Sequence, residues 1–145
     1  VYSASSLLDA GYDLEQLEEH LLQLFLSLAD EAENENRTLI RKAVDQAADL
    51  MRSEYARPDM GLRYLAARLV ISPAYLSRNF KLIYGMTLMQ YLTQLRMERA
   101  RELLMTPGMT VAQAAELVGY QDAFYFSKRF KNHFGVSPSR MEGGS

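Results

Sequence analysis

Serine, a basic residue, phenylalanine and lysine recur in the same order at two places in the chain, fifty residues apart. The first stretch is 76–81 (LSRNFK) followed by Gly85, and the second is 126–131 (FSKRFK) followed by Gly135. Arginine, lysine and serine side chains are the groups that proteins use to bind phosphates and the acceptor edges of bases. Their repetition in register indicates binding to a regular polyanion.

A short helix with alanines precedes each stretch and must position it. These helices include 65–69 and 114–118, which are related by an offset of 49, so the second copy has one extra residue in its turn. A short helix, a tight turn and a basic second helix make a helix-turn-helix. Two of them in tandem indicate a protein that contacts two stretches of one DNA groove.

Composition is that of an ordinary globular protein of one domain or two small ones, with 145 residues, 48% hydrophobic and 23% charged. The chain has no cysteine, which excludes disulfides, thiolate zinc sites and cysteine nucleophiles and fits a reducing cytoplasm. No apolar stretch approaches the roughly 20 residues that cross a bilayer, so we expect no membrane association. Because the chain begins with Val1, we expect it to be a piece of a longer protein.

Charge is distributed unevenly along the chain. Residues 1–36 hold nine acids and neither Lys nor Arg, whereas 37–145 hold all 16 basic residues against nine acids, a formal charge of +7. The overall charge of −2 therefore conceals a basic part that suits a nucleic-acid partner.

Residues 12–33 form a predicted acidic helix with a leucine seam at heptad spacing that ends at Glu31. Three interpretations fit this helix: an amphipathic helix packed on its own domain, a coiled coil with a second copy, or a helix that belongs to a missing upstream domain. The polar run 33–37 predicts a break or hinge after it.

The rest of the chain predicts an all-α fold: two helix-turn-helix subdomains joined by a long connecting helix and preceded by the acidic helix. Apolar periodicity and capping signals place the helices at 38–56, 61–69, 73–84, 87–105, 110–118 and 122–134, with a last short one from Ser137-Pro138. The expected domains are an acidic N-terminal linker at 1–37, the tandem helix-turn-helix domain at 38–141 and a flexible tail at 142–145.

These motifs resemble the C-terminal DNA-binding domain of the AraC/XylS family of bacterial transcription regulators over about residues 38–140. The matching text is Leu65-Ala66, 72–81 (SPAYLSRNFK), Gly85-Met86-Thr87, Ala115, 118–122 (VGYQD), 125–131 (YFSKRFK) and 135–138 (GVSP). The resemblance implies sequence-specific binding of double-stranded DNA in the cytoplasm, with recognition helices in adjacent major-groove segments. From the resemblance we also expect the protein to activate transcription and to contact RNA polymerase.

The resemblance assigns the DNA contacts residue by residue. In the first recognition helix Leu76, Phe80 and Ile83 should face the core. The base-facing positions implied are Ala74, Ser77, Arg78, Ala123, Phe124, Ser127 and Lys128, and the backbone-facing ones are Lys81, Lys131 and Asn132. Phe124 has two interpretations, contact with a thymine methyl group or burial in the core. Arg96, Arg99 and Arg101 are expected to pair with Glu98, Glu102 or Glu116.

Catalysis is not expected, because the chain has no phosphate-binding loop, metal-ligand spacing or nucleophile motif. We therefore expect no enzyme activity, no metal and no cofactor. The alternative function is a helical protein-interaction module, either for the polymerase or for self-association through residues 12–33, with little DNA specificity of its own.

Overall fold

The computed structural model describes residues 5–6, 11 and 13–141, and in that part the regular structure is entirely helical. The elements are α1 (Leu14–Glu54), α2 (Leu62–Leu69), α3 (Pro73–Tyr84), α4 (Leu88–Leu104), α5 (Val111–Leu117), α6 (Ala123–Phe134) and a 3-10 turn (Pro138–Arg140). The predicted all-α class and the tandem arrangement are confirmed, whereas the predicted tail at 142–145 lies outside the described residues. None of the helices described is both long and apolar enough for a membrane span.

The predicted break at 33–37 is wrong, because α1 continues through it without interruption. A capping box starts the helix: the Asp13 carboxylate accepts from the Gln16 N–H at 2.8 Å, and the Gln16 amide accepts from the Asp13 N–H at 3.0 Å. Within the polar run, Arg37 pairs with Glu33 one turn earlier at 2.6 Å. Such i,i+4 pairs stabilise a helix that lacks an apolar face.

The chain divides into two compact units, 1–40 and 41–145. In the first unit, the leucine-rich part of α1 leaves most of its large apolar side chains more than half exposed, although Leu17 is buried. The exposed ones, at 50–76% of their full area, are Leu14, Leu21, Leu22, Leu24, Phe25, Leu26 and Leu28.

The second unit contains both helix-turn-helix pairs. The Ser72 hydroxyl accepts from the Tyr75 N–H and Pro73 opens α3, while Gly85 ends it in the left-handed conformation at φ 72°. In the second pair the Asp122 carboxylate caps α6, and Gly135 ends that helix at φ 79°. Both starts and both stops are where the sequence predicts them.

The connecting helix α4 and the short helix α5 each begin with a capping box, from Thr87 to Gln90 and from Thr110 to Gln113, as predicted. The C-terminal half of α4 packs with α5 and α6 around a shared apolar core. Its buried members are Met97, Ala100, Leu104, Ala114, Ala115, Val118, Phe126 and Phe130. One core therefore holds the second recognition helix directly on the connecting helix.

Arg96 on α4 is the one buried charged side chain among the described residues. Its Nε donates to the Tyr55 carbonyl at 2.8 Å, and its Nη2 donates to the Arg57 carbonyl at 2.7 Å. The guanidinium lies 5.3 Å from the centre of the Tyr120 ring, at the turn of the second pair. Arg96 thus ties the chain that follows α1 to the connecting helix and to the second helix-turn-helix.

The expectation that Arg96 pairs with a glutamate is therefore wrong, since its partners are backbone carbonyls. Burial lowers the pKa of Arg96. The side chain stays protonated because a guanidinium is not deprotonated in proteins. Its neighbours on α4 do pair as predicted: Arg99 with Glu102 and Arg101 with Glu98, each at 2.8 Å.

Replacing Arg96 with methionine should lower the free energy of unfolding by about 3 kcal/mol, because the Tyr55 and Arg57 carbonyls lose the hydrogen bonds that a buried charged donor makes with them. Urea denaturation followed by circular dichroism measures this change. Arg99→Met, which removes an exposed ion pair with Glu102 and an exposed contact with the Tyr55 side chain, is the control and should have a far smaller effect. Equal effects of the two substitutions would contradict the role assigned to Arg96.

The turns of the two pairs use different residues at the same register position. Val70 has φ 56°, and Gly119, 49 residues later, has φ 97°. A Cβ on Gly119 would lie 2.9 Å from Nη2 of Arg96 and 3.0 Å from the Ala56 carbonyl oxygen, so only glycine fits there. Val70 is 89% exposed, and its branched side chain is strained by the left-handed backbone.

We predict that Val70→Asn raises the free energy of unfolding by about 1 kcal/mol, because asparagine adopts the left-handed conformation at lower cost. Thermal denaturation with matched buffer and concentration measures the gain. Val136→Asn, at a partly exposed valine without positive φ, is the control and should not stabilise the protein. A Val70→Asn protein no more stable than the parent would rule out strain at this turn.

Candidate nucleic-acid interface

The first recognition helix, α3, is anchored on one face and open on the other. Leu76 and Phe80 are fully buried and Ile83 is partly buried, which confirms the predicted inward face. The residues predicted to contact DNA are all exposed on the outer side of the helix: Ala74, Ser77, Arg78 and Lys81. A rigid apolar anchor with an exposed polar face is the arrangement that a groove-binding helix needs.

Aromatic packing fixes the C-terminal half of α3. Phe80 stacks on Tyr84 with ring centres 4.6 Å apart, and Tyr91 of α4 meets both rings edge-on at 5.6 Å. The Tyr84 hydroxyl donates to the Asp45 carboxylate at 2.8 Å. Burial, followed by that carboxylate, raises the pKa of Tyr84, so the phenol remains a donor at neutral pH. This contact connects α3 to α1.

The second recognition helix, α6, is built on the same plan with different outer residues. Phe126 and Phe130 are fully buried. At the N-terminus the Asp122 carboxylate accepts from the backbone N–H groups of Phe124 and Tyr125 at 2.9 and 3.2 Å. The first turn is therefore held rigidly, and with it the residues that precede the basic part of the helix.

Four α6 residues were predicted to face bases, and the structure separates them into two pairs. Ala123 and Ser127 are partly buried, and the Ser127 hydroxyl donates to the Ala123 carbonyl at 2.9 Å. Phe124 and Lys128 are exposed, with the Lys128 ammonium 5.0 Å from the centre of the Phe124 ring. Because Phe124 is 71% exposed, the interpretation that placed it in the core is wrong.

The backbone-facing candidates Lys131 and Asn132 on α6 are also exposed, as is Lys81 on α3. Lys81 and Lys131 stand at the same register position, fifty residues apart, near the end of each recognition helix. The two helices thus place a lysine in corresponding positions: Lys81 lies one turn beyond Arg78, and Lys131 lies one turn beyond Lys128.

Unneutralised positive charge is concentrated on these two helices. Elsewhere in the described part, most arginines pair with an acidic side chain or, for Arg96, with carbonyls. Within the residues that the structure describes, the cations on α3 and α6 have no acidic partner, and neither helix contains an acidic residue. They are Arg78, Lys81, Lys128, Arg129 and Lys131. The free charge suits a ligand that brings its own negative charge.

Arg129 and Tyr125 belong to this surface and were not among the predicted contacts. The Arg129 Nε donates to the Tyr125 hydroxyl at 2.9 Å, and the guanidinium lies 5.3 Å from the ring centre. The i,i+4 spacing of an aromatic residue and a cation, repeated at Phe124 and Lys128, is the sequence signal that could have identified them.

Among the described residues, no three His, Cys, Asp or Glu side chains are grouped so that they could hold a metal ion. The exposed side chains of α3 and α6 include cations, hydroxyls and the aromatic rings of Tyr75, Phe124 and Tyr125.

A protein-family model described as a helix-turn-helix domain matches residues 65–143. The Msm operon regulatory protein of Streptococcus mutans is 32% identical over 107 residues, which is 74% of this chain and 38% of that protein. The arabinose operon regulatory protein of Escherichia coli K12 is 30% identical over 126 residues, or 86% of this chain and 43% of that protein. The chain therefore spans less than half the length of these curated relatives.

Among solved structures, the C-terminal domain of AraT, a response regulator from Geobacillus stearothermophilus, is similar to this chain with a TM-score of 0.67 and 37% sequence identity. The match covers 68% of this chain and 82% of that domain.

Proposed function

The chain belongs to the AraC/XylS family of bacterial transcription regulators and binds double-stranded DNA sequence-specifically, and from this premise we propose how its two recognition helices contact one operator. The family is non-enzymatic. We propose that α3 and α6 enter adjacent major-groove segments on one side of the duplex. The observation that carries the proposal is the set of cations without acidic partners on two helices built to the same plan.

The length of the connecting helix supports this arrangement. With 17 residues, α4 is about 26 Å long. Successive major-groove segments on one face of B-DNA lie about 34 Å apart. A rigid helix of this order, which carries the core of the second pair, can set two recognition helices in adjacent segments without a second protein molecule.

We propose that some exposed residues of the two helices contact bases and that others contact phosphates. Arg78, which has no partner within the described residues, makes the bidentate contact to guanine O6 and N7, with Ala74 and Ser77 beside it. Phe124 and Lys128 face bases in the second segment, and Ala123 and Ser127 form the edge of that contact. The remaining candidates, Lys81, Lys131 and Asn132, bind phosphates and set the register.

The domain boundaries remain part of the proposal. We assign DNA binding to residues 38–141 and a linker role to 1–37. In the whole protein we expect an activator that acts in the cytoplasm and contacts RNA polymerase. Two curated relatives are named as regulatory proteins of the msm and arabinose operons, which supports a role in the regulation of transcription.

Selection of duplexes from a randomised pool should enrich two short motifs about one helical turn apart, one for each recognition helix. Repeating the selection with Arg78→Ala should remove the guanine preference at one position of the first motif and leave the second motif intact. The lost discrimination corresponds to about 1–3 kcal/mol. Sequencing of the retained duplexes measures both outcomes.

Lys81→Ala is the matched control for that selection. It should weaken all sequences alike and lower the slope of log affinity against log salt by about 0.9, the contribution of one phosphate contact. Retention without any enriched motif would contradict the proposed function, and uniform weakening by Arg78→Ala would reassign that residue to the backbone.

Self-association through residues 12–33 is a second candidate function, favoured by the exposed leucines of α1. Leu14, Leu17, Leu21, Leu24 and Leu28 follow the alternating three- and four-residue spacing of a coiled-coil seam. Leaving most of these side chains in water is unfavourable, and a second copy of the same helix would cover them.

We expect the chain to dimerise reversibly in sedimentation equilibrium, and Leu21→Asp to make it monomeric, because a charge at the seam would be desolvated. The control is Leu22→Asp, one residue away and off the seam: Leu21 is 59% and Leu22 58% exposed. A monomer at all concentrations, or equal disruption by the two substitutions, would count against the coiled coil.

A further inference from the structure

The two recognition helices place different chemistry at the same two positions. Ala74 and Arg78 on α3 correspond to Phe124 and Lys128 on α6, at an offset of 50. On α3 a small side chain precedes a cation that has no partner. On α6 a large aromatic ring precedes a cation that lies over it, 5.0 Å from the ring centre. The helices are therefore equivalent in their scaffold and different in what they offer to a base.

Phe124 is held in place at the start of α6 and turned outward. Its backbone N–H donates to the Asp122 cap at 2.9 Å, and its side chain is 71% exposed. The nearby Ser127 hydroxyl donates its proton to the Ala123 carbonyl, so it has no donor to offer a base. Of the four predicted base-facing positions on α6, the two that are exposed therefore offer an apolar ring and the ammonium of Lys128.

The major groove has one apolar group among its donors and acceptors, the C5-methyl group of thymine. An aromatic ring that enters the groove on a rigid helix has only this group to bury against. The cation–π contact keeps Lys128 over the ring and so limits the rotamers that both side chains adopt. The ring and the ammonium then reach the groove together, with little conformational entropy left to lose on binding.

We propose that the second recognition helix identifies its segment by contact of the Phe124 ring with the C5-methyl group of a thymine, whereas the first identifies its segment through Arg78. This inference rests on the proposed function, since it requires α6 to lie in the major groove. It makes Phe124 a specificity-determining residue of the site.

The test uses the duplex obtained by selection, with each thymine of the second motif replaced in turn by deoxyuridine, which lacks only the methyl group. At one position the affinity of the parent protein should fall about fourfold, the ratio expected for loss of one buried methyl group. Phe124→Ala should bind the two duplexes equally. Leucine is apolar and is compatible with a helix, so Phe124→Leu should retain part of the difference in affinity between the two duplexes.

Leu117→Ala is the control variant, since Leu117 is an exposed apolar residue of the same helix-turn-helix but lies on α5. It should show the full methyl effect. Failure to obtain an enriched site would overturn the proposed function itself. An enriched site whose affinity is unchanged by deoxyuridine at every position, or a methyl effect that persists in Phe124→Ala, would overturn only the role of Phe124.

Discussion

The guanidinium of Arg96 joins three parts of the second unit, residues 41–145, whose relative orientation apolar contacts alone would not fix. It donates to the Tyr55 and Arg57 carbonyls beyond the end of α1 and lies against Tyr120 in the turn before α6. A buried charge is tolerated only when its donors are satisfied, so the surrounding backbone has little freedom to shift. The position of the second recognition helix relative to α4 therefore depends on this side chain as well as on the apolar core.

The same constraint explains why the two turns differ. Gly119 lies so close to Arg96 that a Cβ would contact the guanidinium, and the second turn must use glycine. The first turn has no such neighbour, and there the left-handed position holds Val70, whose side chain is almost fully exposed. Two copies of one motif thus differ at this position for a local reason, the presence of a buried charge beside one of them.

Sequence reasoning succeeded where local signals decide the structure. The caps at Ser72 and Asp122 and the glycine stops are local, and each lies where it was predicted. It failed at the polar run in α1, where the Glu33–Arg37 pair supports helix without an apolar stripe. It also failed at Arg96, because the partners are backbone carbonyls 39 and 41 residues away. Every residue has a backbone carbonyl, so the residue types in the sequence do not indicate which ones Arg96 binds. The exposure of Phe124 was similarly undecided, since an aromatic residue suits either a core or a groove.

Charge pairing separates scaffold from interface more clearly than composition does. Arg99 and Arg101 on α4 are neutralised by neighbouring glutamates, which makes them part of a solvated helix surface. Cations on α3 and α6 have no acidic neighbour on their own helices, so their mutual repulsion is unrelieved in the free protein. Binding a polyanion removes that repulsion and releases the counterions of the polyanion, which makes the free energy of association dependent on salt. Because phosphate contacts are the same for every sequence, the sequence specificity must then come from the side chains beside these cations that reach base edges.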